Sequence, residues 1–131
     1  MSTTSATGTF ELTSTRHPPY DTAPGATLAR TTFSKTFSGD LVATSIVEML
    51  SAMSEVAGSA GYVALERVTG TLHGQSGSFV LQHSGTMTRS TPTLSLTVVP
   101  DSGSGELKTI SGAMTIEIIE KQHHYTFTYS L

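Results

Sequence analysis

Apolar and polar positions alternate along most of this chain. Between Thr7 and Thr15, residues Gly8, Phe10, Leu12 and Ser14 fall on one side and Thr7, Thr9, Glu11, Thr13 and Thr15 on the other. This is the period-two signature of a half-buried strand, with Phe10 and Leu12 pointing inward. The segment Arg16-His17-Pro18-Pro19-Tyr20-Asp21 ends it, because consecutive prolines supply no backbone donors and hold the chain extended. Asp21 to Ala26, with Pro24-Gly25 inside, reads as a loop. A second strand over Leu28 to Ser38 places Phe33 and Phe37 on one face, and Gly39-Asp40 turns the chain into the next element.

Leu41 to Val56 is ambiguous on periodicity. Val47, Leu50, Met53 and Ala57 satisfy helical spacing, whereas Val42, Thr44, Ile46, Val47 and Val56 favour strand. The β-branched content predicts one long strand. Both of its faces carry apolar residues, so one lines a core and the other meets a neighbouring element or subunit. Gly58-Ser59-Ala60-Gly61 is a small-residue turn. Tyr62 to Leu72 forms the next strand, with Glu66 and Arg67 at its middle on opposite faces. His73 to Gly77 is read as a four- or five-residue connection into Ser78 to Thr88, where Phe79, Leu81, His83 and Met87 share a side. Leu94, Leu96 and Val98 alternate until Pro100, a flexible loop follows over Asp101 to Gly105, and Ile110 to Ile119 and Tyr125 to Leu131 complete the set. The last strand carries Tyr125, Phe127, Tyr129 and Leu131 on one face. About eight strands at short spacing, without a long helix, predict an all-β, roughly eight-stranded antiparallel barrel or a sandwich, and the barrel is favoured because closure leaves no open edge.

Two blocks sharpen that expectation. The run Tyr62-Val-Ala-Leu-Glu-Arg-Val-Thr-Gly-Thr-Leu-His-Gly-Gln-Ser-Gly-Ser-Phe-Val-Leu-Gln-His83 and the later Val98-Val-Pro-Asp-Ser-Gly-Ser-Gly-Glu-Leu107 resemble a bacterial family of uncharacterised domains with the allene oxide cyclase-like barrel. The resemblance extends from Phe10 to Tyr129 and implies that fold, but no assigned reaction. A more distant resemblance links the chain to plant allene oxide cyclases, whose barrel binds a fatty-acid epoxide in an apolar cavity and steers its cyclisation. Gly70-Thr71-Leu72-His73-Gly74 looks like their Gly-x-aromatic-x-Gly turn, and Tyr62 falls near a tyrosine of their cavity. Their strand-one carboxylate and asparagine fall near Phe10 and Leu12. Neither of these side chains can hold a proton or polarise an epoxide, so that particular chemistry is not expected here.

Composition narrows the function classes. The 131 residues are 37% apolar and 13% charged with a net charge of −3, which predicts a single domain over residues 1–131 and offers no electrostatic footprint for nucleic acid or an anionic membrane. The chain has 23 Thr and 18 Ser but no Cys, so disulfides, thiol nucleophiles and thiolate metal sites are excluded. No apolar run spans a bilayer and no signal pattern opens the chain, and the expectation is a cytoplasmic soluble protein.

Candidate chemistry centres on Glu66, which shares a face with Tyr62 and Ala64 in mid-strand. A buried carboxylate there can act as acid or base, or can merely be tied to a cross-strand Arg or hydroxyl for register. His83, among Phe79 and Leu81, can exchange protons with Glu66, or can be a satisfied core histidine. Tyr62, Tyr125 and Tyr129 can offer phenols to a ligand oxygen, though aromatics at period two also serve as plain core. Adjacent His123 and His124 point to opposite strand faces, are placed at the surface near a turn, and do not form a metal site. No phosphate-cradling or nucleophile-elbow motif is present.

The first functional expectation is therefore a barrel binding a hydrophobic or mixed small molecule in an apolar cavity lined by Phe10, Leu12, Phe33, Phe79, Leu81 and Tyr129. Glu66, His83 and Tyr62 are its polar points and candidate catalytic residues, with no cofactor or metal. If it is an enzyme, cofactor-free isomerisation or cyclisation is the matching chemistry. The second expectation is a non-catalytic, homo-oligomeric assembly or interaction module with a filled barrel, in which an outward Leu50 or Met53 is buried between subunits.

Overall fold

The computed structural model describes residues 3–131. Its strands are β1 (Thr4–Arg16), β2 (Ala26–Gly39), β3 (Leu41–Ser54), β4 (Ala60–Leu72), β5 (Gln75–Thr88), β6 (Thr91–Val98), the two-residue β7 (Ser104–Gly105), β8 (Ser111–Ile119) and β9 (Gln122–Ser130). Antiparallel pairing runs from β1 through β2, β3, β4, β5, β6, β8 and β9 back to β1, and β7 adds to β5. The result is the expected all-β, eight-stranded closed barrel. No helix among the described residues is long and apolar enough to cross a membrane.

Leu41 to Ser54 is a strand, as its β-branched residues predict. Its inward Leu41, Ala43 and Val47 are buried while Val42, Ile46 and Leu50 stand outside. The connection after β4 is shorter than the four or five residues expected: His73 and Gly74, at φ of 46° and 80°, form a two-residue turn whose twist matches the flanking strands. Asp101 to Gly105 is not a free loop. Ser104 and Gly105 pair with Ser78 and Gly77, and Ser102 Oγ accepts from the Val80 amide at 3.0 Å. Glycine permits this docking, since a Cβ at Gly77 would stand 2.1 Å from the Ser104 carbonyl oxygen. The docked segment drives Leu107 and Ile110 into the barrel.

These turns divide the barrel into two halves. At the end bearing the β2–β3 and β4–β5 turns, Leu41, Leu72, Leu107, Phe79, Phe127 and Tyr129 fill the interior. Phe127 stacks between Phe79 and Tyr129 with ring centroids 5.4 Å apart on each side. The opposite end is open.

The polar side chain at the edge of the filled half is satisfied from two sides. The Tyr125 hydroxyl accepts from the Leu41 amide and donates to the Ser38 carbonyl, both at 2.9 Å. It pins the β2–β3 corner to β9.

Candidate functional site

Inward-facing residues of neighbouring strands meet at mid-height because the register leaves no slip between them. Val47 pairs with Glu66 and Glu66 with Leu81, so β3, β4 and β5 present the same face at one level. Glu66, with no exposed surface, gathers three donors there. Lys35 Nζ donates to Oε1 at 3.2 Å, His83 Nε2 lies 2.7 Å from the same oxygen, and Ser45 Oγ donates to Oε2 at 2.5 Å. Lys35 and His83 are themselves buried, and the Lys35 ammonium also sits 4.5 Å above the Phe10 ring.

Burial alone would push the Glu66 carboxyl up. The His83 hydrogen bond, the Lys35 charge and the Ser45 hydroxyl outweigh it and hold the group below its ordinary value. Glu66 is thus an acceptor only, and His83 Nε2 carries the hydrogen between them. His83 Nδ1 makes no hydrogen bond among the described residues. Among the described residues no buried side-chain nitrogen or oxygen lacks a partner, so Nδ1 retains accessible surface. His83 lines a chamber of about 240 Å³.

The chamber is walled by Phe10, Leu12, Phe33, Val47, Met49 and Ile116, and the polar groups Lys35, His83, Tyr62 and His123 also face it. Phe33, Met49 and Tyr62 continue into a wider vestibule of about 800 Å³ that reaches Arg16, His17, Met53, Met87 and Leu94 at the open end. Glu66 lies behind Lys35 and His83 and lines neither space.

Of the residues singled out in the sequence, Phe10, Leu12, Phe33, Tyr62 and His83 thus stand at the cavity. Phe79, Leu81 and Tyr129 do not line it. All three lie on the inward faces expected, but Phe79 and Tyr129 stand in the filled half beside the docked Leu107 segment, and Leu81, level with Glu66, is buried in the core. Tyr129 instead bonds through its hydroxyl to His73 Nδ1 at 2.5 Å. His123 is also displaced from expectation: it faces the chamber, its ring 4.9 Å from that of Phe10, while His124 points away on the other face of β9. Among the described residues no group of three or more His, Cys, Asp or Glu is placed to hold a metal ion.

Lys35 and Ser45 were missed. Lys35 falls at period two between Phe33 and Phe37, and that spacing alone puts it on the inward face. Ser45 holds the same phase between Ala43 and Val47.

Tyr62 is a neutral phenol at the chamber wall, since burial raises its pKa. It packs over Gly85 on the facing strand, where a Cβ would come within 2.4 Å of its ring. Gly85→Ala is therefore expected to swing the ring aside and cost about 1 kcal/mol. Shifted Tyr62 ring resonances together with a lowered melting temperature check this.

Comparisons with known proteins locate the chain without supplying a reaction. No curated protein matches it. A crystal structure of a protein of unknown function from the DUF3224 family of Shewanella oneidensis MR-1 superposes with a TM-score of 0.94 at 49% identity, covering 99% of this chain and 98% of that one. The family model for DUF3224, described as a protein of unknown function, matches residues 6–129, and this chain accordingly belongs to the DUF3224 family.

Proposed function

We infer that this protein binds an amphipathic small molecule end-on in the open half of its barrel. The observation that carries this reading is the pairing of apolar walls with a hydrogen-bonding floor. Phe10, Leu12, Phe33, Val47, Met49 and Ile116 match an apolar ligand body, and Lys35 and His83 match a polar head. A purely structural Lys–Glu pair needs no open space beside it. The distant resemblance to allene oxide cyclases supports the same reading by analogy of fold, and cofactor-free isomerisation or cyclisation is the reaction class that a buried base beside a shaped apolar chamber suits.

A thermal-shift panel of fatty acids, polyketides, terpenoids and aromatic heterocycles tests the reading. A saturable rise of a few degrees is expected for at least one class, of the order that ligand linkage produces at concentrations well above Kd. Ala64→Phe, which places a ring in the chamber, should abolish that rise while the variant still melts cooperatively. A flat response from the entire panel overturns the reading.

One observation favours the second reading, an oligomeric assembly module. Ile46 and Leu50 on β3 and Val63 and Leu65 on β4 are all about half exposed on one outer face. Sedimentation equilibrium of the protein and of Leu50→Lys distinguishes a self-associating barrel from a monomeric one.

A further inference from the structure

The floor of the chamber holds more than a binding head requires. Glu66 receives Lys35 and His83 on one carboxylate oxygen, at 3.2 and 2.7 Å, which keeps the ammonium and the imidazole within about 6 Å of one another. Each retains unused hydrogen-bonding capacity. Lys35 has three donors and places one on Glu66. A His83 ring that donates from Nε2 as the neutral tautomer carries its lone pair on Nδ1, an atom without a hydrogen-bond partner among the described residues. An electrophile for an oxygen and a base for a carbon-bound proton thus face one apolar space, held in register by a carboxylate that does not enter it.

We propose that this floor catalyses enolisation of an apolar-chain ketone, with Lys35 and His83 as the catalytic residues and Glu66 as a positioning residue. The inference rests on the small-molecule reading above. The substrate carbonyl oxygen accepts from Lys35 Nζ, and His83 Nδ1 removes a proton from the adjacent carbon. The electron pair of that C–H bond becomes the carbon–carbon π bond, and the carbonyl π pair moves onto oxygen, where the ammonium stabilises the enolate. Return of the proton from Nδ1 to the same carbon restores the ketone, and return to a vinylogous carbon of an unsaturated ketone moves the double bond. Atoms and charge balance without oxidant, reductant or second substrate. Glu66 orients the imidazole and fixes its tautomer, and Tyr62 and His123 are the other titratable groups facing the chamber.

Hydrogen–deuterium exchange at the α-carbon tests this on the whole protein. Methyl octyl ketone and benzylacetone in D2O are the probes, proton NMR reads the exchange, and the thermal shift of the same samples reads binding. Saturable acceleration over the buffer rate by about a hundredfold or more is expected. It should be lost in His83→Gln and reduced by at least about a hundredfold in Lys35→Met, with both variants still melting cooperatively and each compared at ketone concentrations that saturate it. In Glu66→Gln the maximal rate should fall while the half-saturating concentration stays within about twofold, a split that general loss of structure does not produce. Should Glu66→Gln not fold, His83→Gln decides the matter alone.

Binding without acceleration overturns the chemistry and leaves the ligand-binding reading standing. Acceleration that survives in His83→Gln assigns the base elsewhere and overturns the proposal. If neither ketone binds, ketones are the wrong ligand class and the proposal fails, whereas the broader panel still judges the binding reading separately.

Discussion

Glu66→Ala is expected to destabilise the protein by about 3–5 kcal/mol, the cost of leaving a buried charge without its counter-ion. The alanine removes the acceptor for Lys35, His83 and Ser45 together, and it strands the Lys35 ammonium inside the barrel with the Phe10 and Phe37 rings beside it but no counter-charge from Glu66. Chemical denaturation checks the loss as a fall in midpoint at unchanged slope. Lys35→Met on the alanine background should recover part of it, because the second change removes the stranded charge. A loss below about 1 kcal/mol would show that water reaches the cluster and that the pair is not buried in solution.

The same cluster sets an acid limit. Glu66 is held below its ordinary value of 4.5, so the unfolded chain takes up this proton first as the pH falls. Its contribution to stability is complete above the unfolded value and is lost progressively as the pH falls from there through the lowered folded value. Acid titration of the unfolding free energy should show a step in that window for the natural protein and none attributable to this group in Glu66→Gln.

Gly8→Ala should be comparably damaging, at about 3 kcal/mol or more. Gly8 faces Gly39 on β2 and Tyr125 on β9. A Cβ there would stand 2.0 Å from the Ser38 carbonyl oxygen and 2.6 Å from the Tyr125 hydroxyl. The first obstacle is backbone and cannot turn aside, and the second is the hydroxyl that joins Leu41 to Ser38. Gly61→Ala provides the contrast. Its Cβ would meet nothing nearer than 3.8 Å, so a change within about 0.5 kcal/mol is expected. Equal effects at the two positions would contradict the close approach at the β1–β2–β9 corner.

Much of the barrel is legible along the chain because strand parity is a local property. The inward set of β1, with Phe10 and Leu12, and that of β5, with Phe79, Leu81 and His83, follow from alternation alone, and no bulge interrupts the ladders around Glu66 to reverse them. Lys35 obeys the same parity. Lysine is nevertheless rarely buried, and the carboxylate facing it from β4 is what makes its burial tolerable.

The level of a residue along the barrel axis is a different matter. Phe10 and Phe79 are equivalent in periodicity, yet one faces the chamber and the other the filled core. The difference arises from the docking of residues 101–110 onto β5, a contact between segments more than twenty residues apart. His123 shows the same dependence, since its side follows from β9 alone but its place beside Phe10 comes from the pairing of β9 with β1 across the closure.

Alternation of side chains, β-branched content and the spacing of turns were sufficient to predict an all-β antiparallel fold with a barrel favoured over a sandwich, and the inward faces of β1, β2, β4, β5, β6 and β9, because each reflects the backbone geometry of neighbouring residues. The meeting of Lys35, Ser45, Glu66 and His83, and the division of the interior into a filled and an open half, were decided by tertiary structure alone. Register and closure bring together residues far apart in the chain, and neither cross-strand height nor the volume displaced by a docked loop is encoded in any local pattern.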